Sequence, residues 1–209
     1  MIVRDTLDNG IRLVTESMGH VRSVSLGVWL TSGSRHESDE ESGIAHFVEH
    51  MLFKGTDTRS AEDIAQAVDS IGGQLDAFTA KEYASYYVKV LDQHLPLAVD
   101  ILSDIVLRPA FKSIDIDREK KVILEEIKMV EDTPDDLVHE LFTQAFWEGH
   151  PLGRPILGTK DTVESLTQRG LREHFAGAYA AENVIISAAG NIEHAHKTAT
   201  LGPHRLHDP

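Results

Sequence analysis

The sequence contains no cysteine. This absence excludes a disulfide framework, a thiolate metal site and a cysteine nucleophile. Any metal ion that the chain binds must therefore be held by histidine and carboxylate side chains. Both are plentiful, because the 209 residues include 12 histidines and 34 acidic residues.

Long apolar runs are also missing. No stretch approaches the ~20 consecutive apolar residues that a membrane-spanning helix needs, and no charged segment followed by an apolar one opens the chain. We therefore expect a cytoplasmic protein with no signal peptide, no presequence and no membrane insertion. Its hydrophobic content of 41% and charged content of 26% are typical of a globular protein of one domain, or of two small ones.

Basic side chains are in the minority. The chain has 20 Lys and Arg against 34 Asp and Glu, which gives a formal net charge of −14. Nucleic acid is therefore not an expected partner, since its phosphates need basic residues. The acidic balance is compatible with steering basic peptides toward the protein, or with solubility alone.

Segments with strand and helix patterns follow one another irregularly along the chain. The turn signal Asn9-Gly10 predicts a hairpin between the first two strands. Ser42 is the predicted N-cap of the first helix, and Gly55 is its predicted end. Strands are predicted at 2–6, 11–15, 21–30, 74–78, 83–91 and 183–189, and further helices at 60–71, 94–107, 113–132, 135–147 and 160–179. Because the two kinds of element mix without strict alternation, the pattern predicts an α+β fold.

The first helix contains two histidines that bracket a glutamate, in the run HFVEH at 46–50. At about 100° per residue, His46, Glu49 and His50 fall on one side of the helix and the apolar residues on the other. Histidines four residues apart lie one turn apart and can reach a single metal ion. The run is the metallopeptidase motif H-E-x-x-H in inverted order, with Glu49 placed to reach a metal-bound water. The alternative is a solvated helix face without a metal.

A candidate third ligand lies in the segment 115–131, DIDREKKVILEEIKMVE. On a helix, Glu119 and Glu126 fall two turns apart within the apolar stripe, whereas Glu125 points elsewhere. A buried carboxylate without a partner costs on the order of several kcal/mol, so such a group has a cation or a donor nearby. A metal ion at the two histidines would compensate Glu126. The alternative is an arginine from another element.

Together the two helices favour a His-His-Glu site. Such a set leaves a fourth position for water, which is the pattern of catalytic rather than structural zinc. Glu49 would accept a proton from that water and pass it to the leaving amine. Glu119 would lie behind the site and orient a ligand histidine.

These motifs resemble the M16 peptidase family, which includes pitrilysin, insulin-degrading enzyme and mitochondrial processing peptidase. The resemblance runs from about Val3 to Ile192. The matching runs are GSRHE at 33–37, HFVEH at 46–50, GGQLDAFT at 72–79, EKKVILEEI at 119–127 and HPLGRPILGT at 150–159. The resemblance implies a mixed, mainly antiparallel sheet flanked by helices. It also implies a Zn²⁺ cofactor with His46, His50 and Glu126 as ligands and Glu49 as general base.

The resemblance further implies that the strand 74–78 binds an extended peptide by edge addition. The candidate substrate-binding residues are Gln74, Leu75, Asp76, Ala77 and Phe78. Many relatives carry asparagine at the position of Asp76, which affects side-chain contacts there but leaves backbone pairing possible. The alternative for this strand is ordinary sheet packing.

The family resemblance also predicts the domain organisation of the chain. Residues 1–192 are expected to form the N-terminal, zinc-binding half of the family architecture, and 193–209 an irregular, disordered tail. The expected function is that of a zinc-dependent endopeptidase acting on extended or unfolded peptides, with a second half-domain or a second copy as partner. The alternative is a non-catalytic or incomplete subunit that binds peptides and needs a partner half. Lyases of the LuxS type share the inverted motif but need cysteine, which is absent.

Overall fold

A mixed sheet forms one layer of the molecule. The computed structural model describes residues 1–194, and their six strands form one open sheet in the order β1-β2-β6-β3-β5-β4. The strands are β1 (Ile2–Thr6), β2 (Arg12–Ser17), β3 (Ser23–Leu30), β4 (Gln74–Thr79), β5 (Ala84–Leu91) and β6 (Val184–Gly190). Neighbouring strands are antiparallel except β2 and β6. The predicted α+β class is confirmed, and strand ends differ from the predictions by at most two residues.

Seven helices accompany the sheet in the described residues. They are α1 (Ile44–Leu52), α2 (Ala61–Asp69), α3 (Leu95–Leu107), α4 (Ser113–Asp132), α5 (Pro134–Phe146), α6 (Lys160–Ser165) and α7 (Gln168–Ala178). None of them combines the length and the apolar character that crossing a membrane requires. The tail predicted at 193–209 lies outside the described residues beyond position 194.

The prediction of a single helix over 160–179 is wrong. The chain leaves the helical conformation at Leu166, whose ψ is 135°. Thr167 then starts α7 by accepting a hydrogen bond from Gly170 N through its hydroxyl. Leu166 is itself buried, so the break turns an apolar side chain into the core and lets a threonine cap the next helix.

The hydrophobic core lies between the sheet and the helices. Alternate residues of β3, from Val24 to Leu30, pair with alternate residues of β5, from Val90 to Ala84, and all are buried. Helix α1 adds the side chains of Ile44, Phe47, Val48, Met51 and Leu52. Each large apolar side chain buried in this way contributes roughly 1.5–3 kcal/mol. Because this face of α1 is fixed in the core, its opposite, polar face points away from the core.

A buried aspartate anchors the segment that follows α1. Asp104 on α3 is fully buried, and its Oδ2 accepts hydrogen bonds from Thr56 Oγ1 at 2.6 Å and Thr58 Oγ1 at 2.8 Å. The same oxygen accepts a hydrogen bond from Arg59 Nη1 at 2.9 Å. Arg108 Nη2 lies 2.9 Å from Oδ1, as an ion pair without hydrogen-bond geometry. The network ties the end of the α1 segment to α3.

Replacing this aspartate should destabilise the fold. Asp104→Ala removes the hydrogen-bond acceptor of two hydroxyls and of Arg59, together with the ion-pair partner of Arg108, so we expect the free energy of unfolding to fall by about 3 kcal/mol. Urea unfolding measures the loss. Asp100→Ala is the matched control, because Asp100 also pairs with Arg59 but is 48% exposed, and it should cost at most about 1 kcal/mol. Equal losses in the two variants would contradict the role of the buried network.

Candidate metal centre

Helix α1 starts differently from the prediction. Its N-cap is Gly43, with φ +95°, and not Ser42. The Ser42 hydroxyl is buried without a hydrogen-bond partner among residues 1–194. The carboxylate of Glu37 takes over the capping and accepts hydrogen bonds from Gly43 N at 2.8 Å and Ala45 N at 2.9 Å. Glu37 ends the run GSRHE at 33–37, and no capping role was predicted for it.

The end of α1 also differs. The helix ends at Leu52, three residues before Gly55. Phe53 N and Lys54 N bond back to carbonyl oxygens of the last helical turn, which closes the helix early. Gly55, with φ +114°, instead forms a β-bridge to Ser60. Lys54 thereby remains close to the polar face of the helix.

Three candidate ligands converge between α1 and α4. His46, His50 and Glu126 each offer one donor atom, and the three atoms lie within 4.8 Å of one another. Glu126 Oε2 is 3.5 Å from His50 Nε2 and 3.9 Å from His46 Nε2. With bonds of about 2.0–2.1 Å, tetrahedral zinc holds its ligand atoms about 3.3 Å apart. Small side-chain movements would therefore suffice for all three to bind one ion.

His46 has the protonation state that a metal ligand requires. Burial, followed by the proximity of His50, lowers the pKa of His46 to about 3. The imidazole is therefore neutral at physiological pH, which is the form that coordinates a metal ion. The donor set of two imidazoles and one carboxylate is also the set that zinc accepts in catalytic sites.

Glu119 lies at the Nδ1 side of the His50 ring. It is 4% exposed, and its Oε2 is 3.0 Å from His50 Nδ1. Its other oxygen forms an ion pair with Lys54 Nζ at 2.9 Å. The contact fixes the His50 ring with Nε2 toward Glu126. The contact of Lys54 was not predicted, although a helical spacing continued past His50 places Lys54 one turn after it.

The prediction that Glu126 lies in a buried apolar stripe is wrong. Val122 and Met129, the apolar residues that flank it at helical spacing, are 43% and 68% exposed. The side chain of Glu126 is 36% exposed, and its carboxylate faces the Nε2 atoms of the two histidines rather than an arginine within the described residues. The buried residues of α4 are Ile116, Glu119 and Ile123, all in its first eleven positions. The second half of α4 thus borders a cleft, and Glu126 reaches the histidines from that side.

Glu49 occupies the wall of this cleft. Its carboxylate accepts a short hydrogen bond from the hydroxyl of Thr79, the last residue of β4. Burial is the largest influence on Glu49 and raises its pKa, although the Thr79 bond acts in the opposite direction. Sequence analysis missed Thr79. The bond links the candidate general base to the strand predicted to bind peptides.

The predicted substrate strand is an edge strand. Within the described residues, β4 pairs with β5 alone, so its other edge is open. Ala77 and Phe78 line a cleft of about 980 Å³ together with His46 and Glu49. Gln74, Leu75 and Asp76 border a second groove of about 540 Å³ between β4 and α2. The structure therefore brings two of the five predicted residues to the metal cleft and sets the other three beside a neighbouring groove.

A His-His-Glu donor set on two helices, beside a buried glutamate and an open strand edge, is typical of metallopeptidases. The family model of the insulinases, peptidase family M16, matches residues 12–160. The chain belongs to the M16 peptidase family. It is 51% identical over 192 residues to a Bacillus subtilis (strain 168) protein named "Uncharacterized zinc protease YmxG". That alignment covers 92% of this chain and 47% of the relative.

Solved structures share the fold. A protease from Helicobacter pylori superposes with a TM-score of 0.94 at 22% identity, over 100% of this chain and 52% of that one. A Pseudomonas fluorescens chain described as a peptidase M16 inactive domain superposes with a TM-score of 0.92 at 19% identity, again over 100% and 52%. At these identities the similarity shows the fold alone. The chain spans about half the length of these relatives.

Two neighbouring glutamates provide a test of the donor set. Glu126→Ala should weaken zinc binding at least about 100-fold, because it removes one of three ligands. Glu125→Ala should leave the affinity unchanged, since Glu125 is exposed and paired with Lys128 at 2.6 Å. Competition with a chelator of known zinc affinity measures both constants. Equal behaviour of the two variants would show that Glu126 is not a ligand.

Proposed function

We propose that the chain is the zinc-binding half of an endopeptidase that hydrolyses extended or unfolded peptides. The observation that carries the proposal is the convergence of His46, His50 and Glu126 beside Glu49, at a cleft next to an open strand edge. Membership of the M16 peptidase family and similarity to a protein named as a zinc protease support it. A cytoplasmic location stays a prediction.

His46, His50 and Glu126 would hold the metal. Zinc, when bound, polarises the carbonyl of a peptide bond and lowers the pKa of water. Glu49 lies on the same helix face as both histidines and is oriented by Thr79. Because burial raises its pKa, its carboxylate is a better base than an exposed one. It would accept a proton from the attacking water and deliver it to the leaving amine.

Glu119 would act through His50. Its carboxylate accepts a hydrogen bond from Nδ1–H of His50, which leaves the Nε2 lone pair free for a metal. Lys54 balances part of its charge and so limits the cost of burying the carboxylate.

The peptide would bind along the open edge of β4. Backbone amides and carbonyls on that edge can pair with an added strand irrespective of sequence, so the candidate residues Gln74, Leu75, Asp76, Ala77 and Phe78 would contribute mainly through the main chain. The cleft is lined by five glutamates and three lysines. This excess of acidic groups favours basic peptides.

A second half-domain, or a second copy of the chain, is the proposed partner. Helix α5 forms a wall of the cleft, yet none of its residues is buried within the described structure. Phe142 and Phe146 are 64% and 66% exposed. Such an apolar surface beside a cleft is suited to a partner. The half-length match to relatives supports the same proposal.

The exposed wall also supports a second candidate function. A subunit that binds peptides without cleaving them would need the same strand edge, and one structural relative is described as an inactive domain. The two candidates differ in whether bound peptide is cleaved. Hydrolysis of a quenched peptide by the chain, alone or with an added second half-domain, favours the first, whereas peptide binding without hydrolysis in both forms favours the second.

The role of Glu49 can be tested by an isosteric change. Glu49→Gln should retain zinc, because Glu49 is not among the three converging donors. Hydrolysis of the quenched peptide should fall by at least about 10³-fold, because the amide cannot accept the proton. The assay uses whichever form of the protein, alone or with a second half-domain, is active.

Glu182→Gln, at an exposed glutamate outside the cleft lining, serves as the control for a changed charge and should keep full activity. The assigned role of Glu49 would be refuted by hydrolysis at the wild-type rate in Glu49→Gln. Loss of zinc in Glu49→Gln would instead show that Glu49 is a zinc ligand.

A further inference from the structure

The start of α1 depends on a carboxylate from outside the helix. Glu37 lies six residues before the N-cap Gly43 and is 5% exposed. Its Oε2 accepts a hydrogen bond from Gly43 N at 2.8 Å, and its Oε1 accepts one from Ala45 N at 2.9 Å. The first amides of a helix have no partner inside the helix. Glu37 therefore supplies both acceptors from the loop that precedes the helix.

Close backbone contacts prevent another side chain from replacing this cap. A Cβ atom on Gly43 would lie 2.6 Å from the carbonyl oxygen of Leu157. A Cβ atom on Gly158 would lie 2.3 Å from the carbonyl oxygen of Ser42. The start of α1 is thus packed directly against another backbone segment. A side chain at the N-cap therefore has no space to satisfy the two amides.

The segment that carries Glu37 is attached to the end of β4. Ser34 N and Arg35 N donate hydrogen bonds to the carbonyl oxygens of Ala80 at 3.1 Å and Lys81 at 2.8 Å. These two acceptors follow directly after β4. Glu37 therefore connects the turn after the candidate substrate strand to the first turn of the helix that carries both histidines.

We propose that Glu37 is a positioning residue of the metal centre, whose carboxylate fixes the first turn of α1 against the turn after β4. The inference rests on the proposed zinc site. His46 is the third residue of α1, so it lies in the turn that Glu37 holds. Glu37 has no contact with the donor atoms themselves. Through the backbone of α1, it determines the position of His46 and His50 relative to Glu126.

The charge of Glu37 is part of this function. Burial raises its pKa to about 7, against the hydrogen bonds from Ala45 and Gly43 and the charge of Arg154. Glu41 adds to the rise, and Lys81 faces the carboxylate from the turn after β4. Above about pH 7 both oxygens accept hydrogen bonds, whereas below it one oxygen carries a proton. The protonated carboxyl thus resembles glutamine in offering one acceptor, and because the raised pKa favours the proton in the folded state, acidification is not expected to open the start of α1.

The variant Glu37→Gln tests the proposal, because glutamine keeps the shape but offers a single acceptor. In the metal-free 209-residue chain at pH 8, amide hydrogen exchange at Gly43 and Ala45 should become about tenfold faster, and the NMR signals of the His46 ring should shift. The dissociation constant for zinc should rise about tenfold. At pH 5.5 variant and wild type should converge, since Glu37 is then protonated.

Glu40→Gln, at an exposed carboxylate of the same loop, is the matched control and should change none of these quantities. Faster exchange with unchanged zinc affinity and unchanged His46 signals would overturn the proposal, because the cap would then be merely structural. So would wild-type exchange in Glu37→Gln. If wild type binds no zinc, the proposed zinc site fails, and the His46 signals of the metal-free chain decide on Glu37 alone. Should Glu37→Gln not fold, Glu37→Asp decides, because its shorter side chain keeps the charge but cannot reach both amides: faster exchange at residues 43 and 45 with weaker zinc binding supports the proposal, and wild-type values for both overturn it.

Discussion

The site depends on one buried carboxylate that joins two helices far apart in the chain. Glu119 on α4 bonds to His50 on α1 and to Lys54 just beyond it. A buried carboxylate without such donors would cost on the order of several kcal/mol. Few arrangements of α1 against α4 satisfy both of its oxygens. The arrangement that does so also brings Glu126, two turns along α4, to the two histidines.

Elements with a strong local pattern could be predicted from the sequence. The Asn9-Gly10 hairpin forms because glycine adopts φ +91° at the turn, and the two flanking strands pair as expected. The two faces of α1 could be predicted as well, since alternation between apolar and polar residues at helical spacing requires no knowledge of the neighbours. These local rules already placed His46, Glu49 and His50 on one face.

Features set by contacts between different segments of the chain could not be predicted. The cap of α1 comes from Glu37, because Ser42 is packed where its hydroxyl cannot reach the amides. The exposure of Met129 depends on which elements pack against the second half of α4, and helical spacing does not indicate that. Glu126 was therefore selected for its burial, whereas the structure places it near the histidines with its side chain partly exposed.

The site divides into a part held by the core and a part held weakly. All three proposed ligands lie on α1 and α4, and α1 is fixed by five buried side chains. The facing wall of the cleft, α5, packs against α4 and the short helix Pro151–Gly153 without burying a residue of its own. Metal binding should accordingly be a property of this chain alone. Enclosing a peptide, by contrast, gains from any surface that covers α5, so hydrolysis and metal binding need not require the same length of chain.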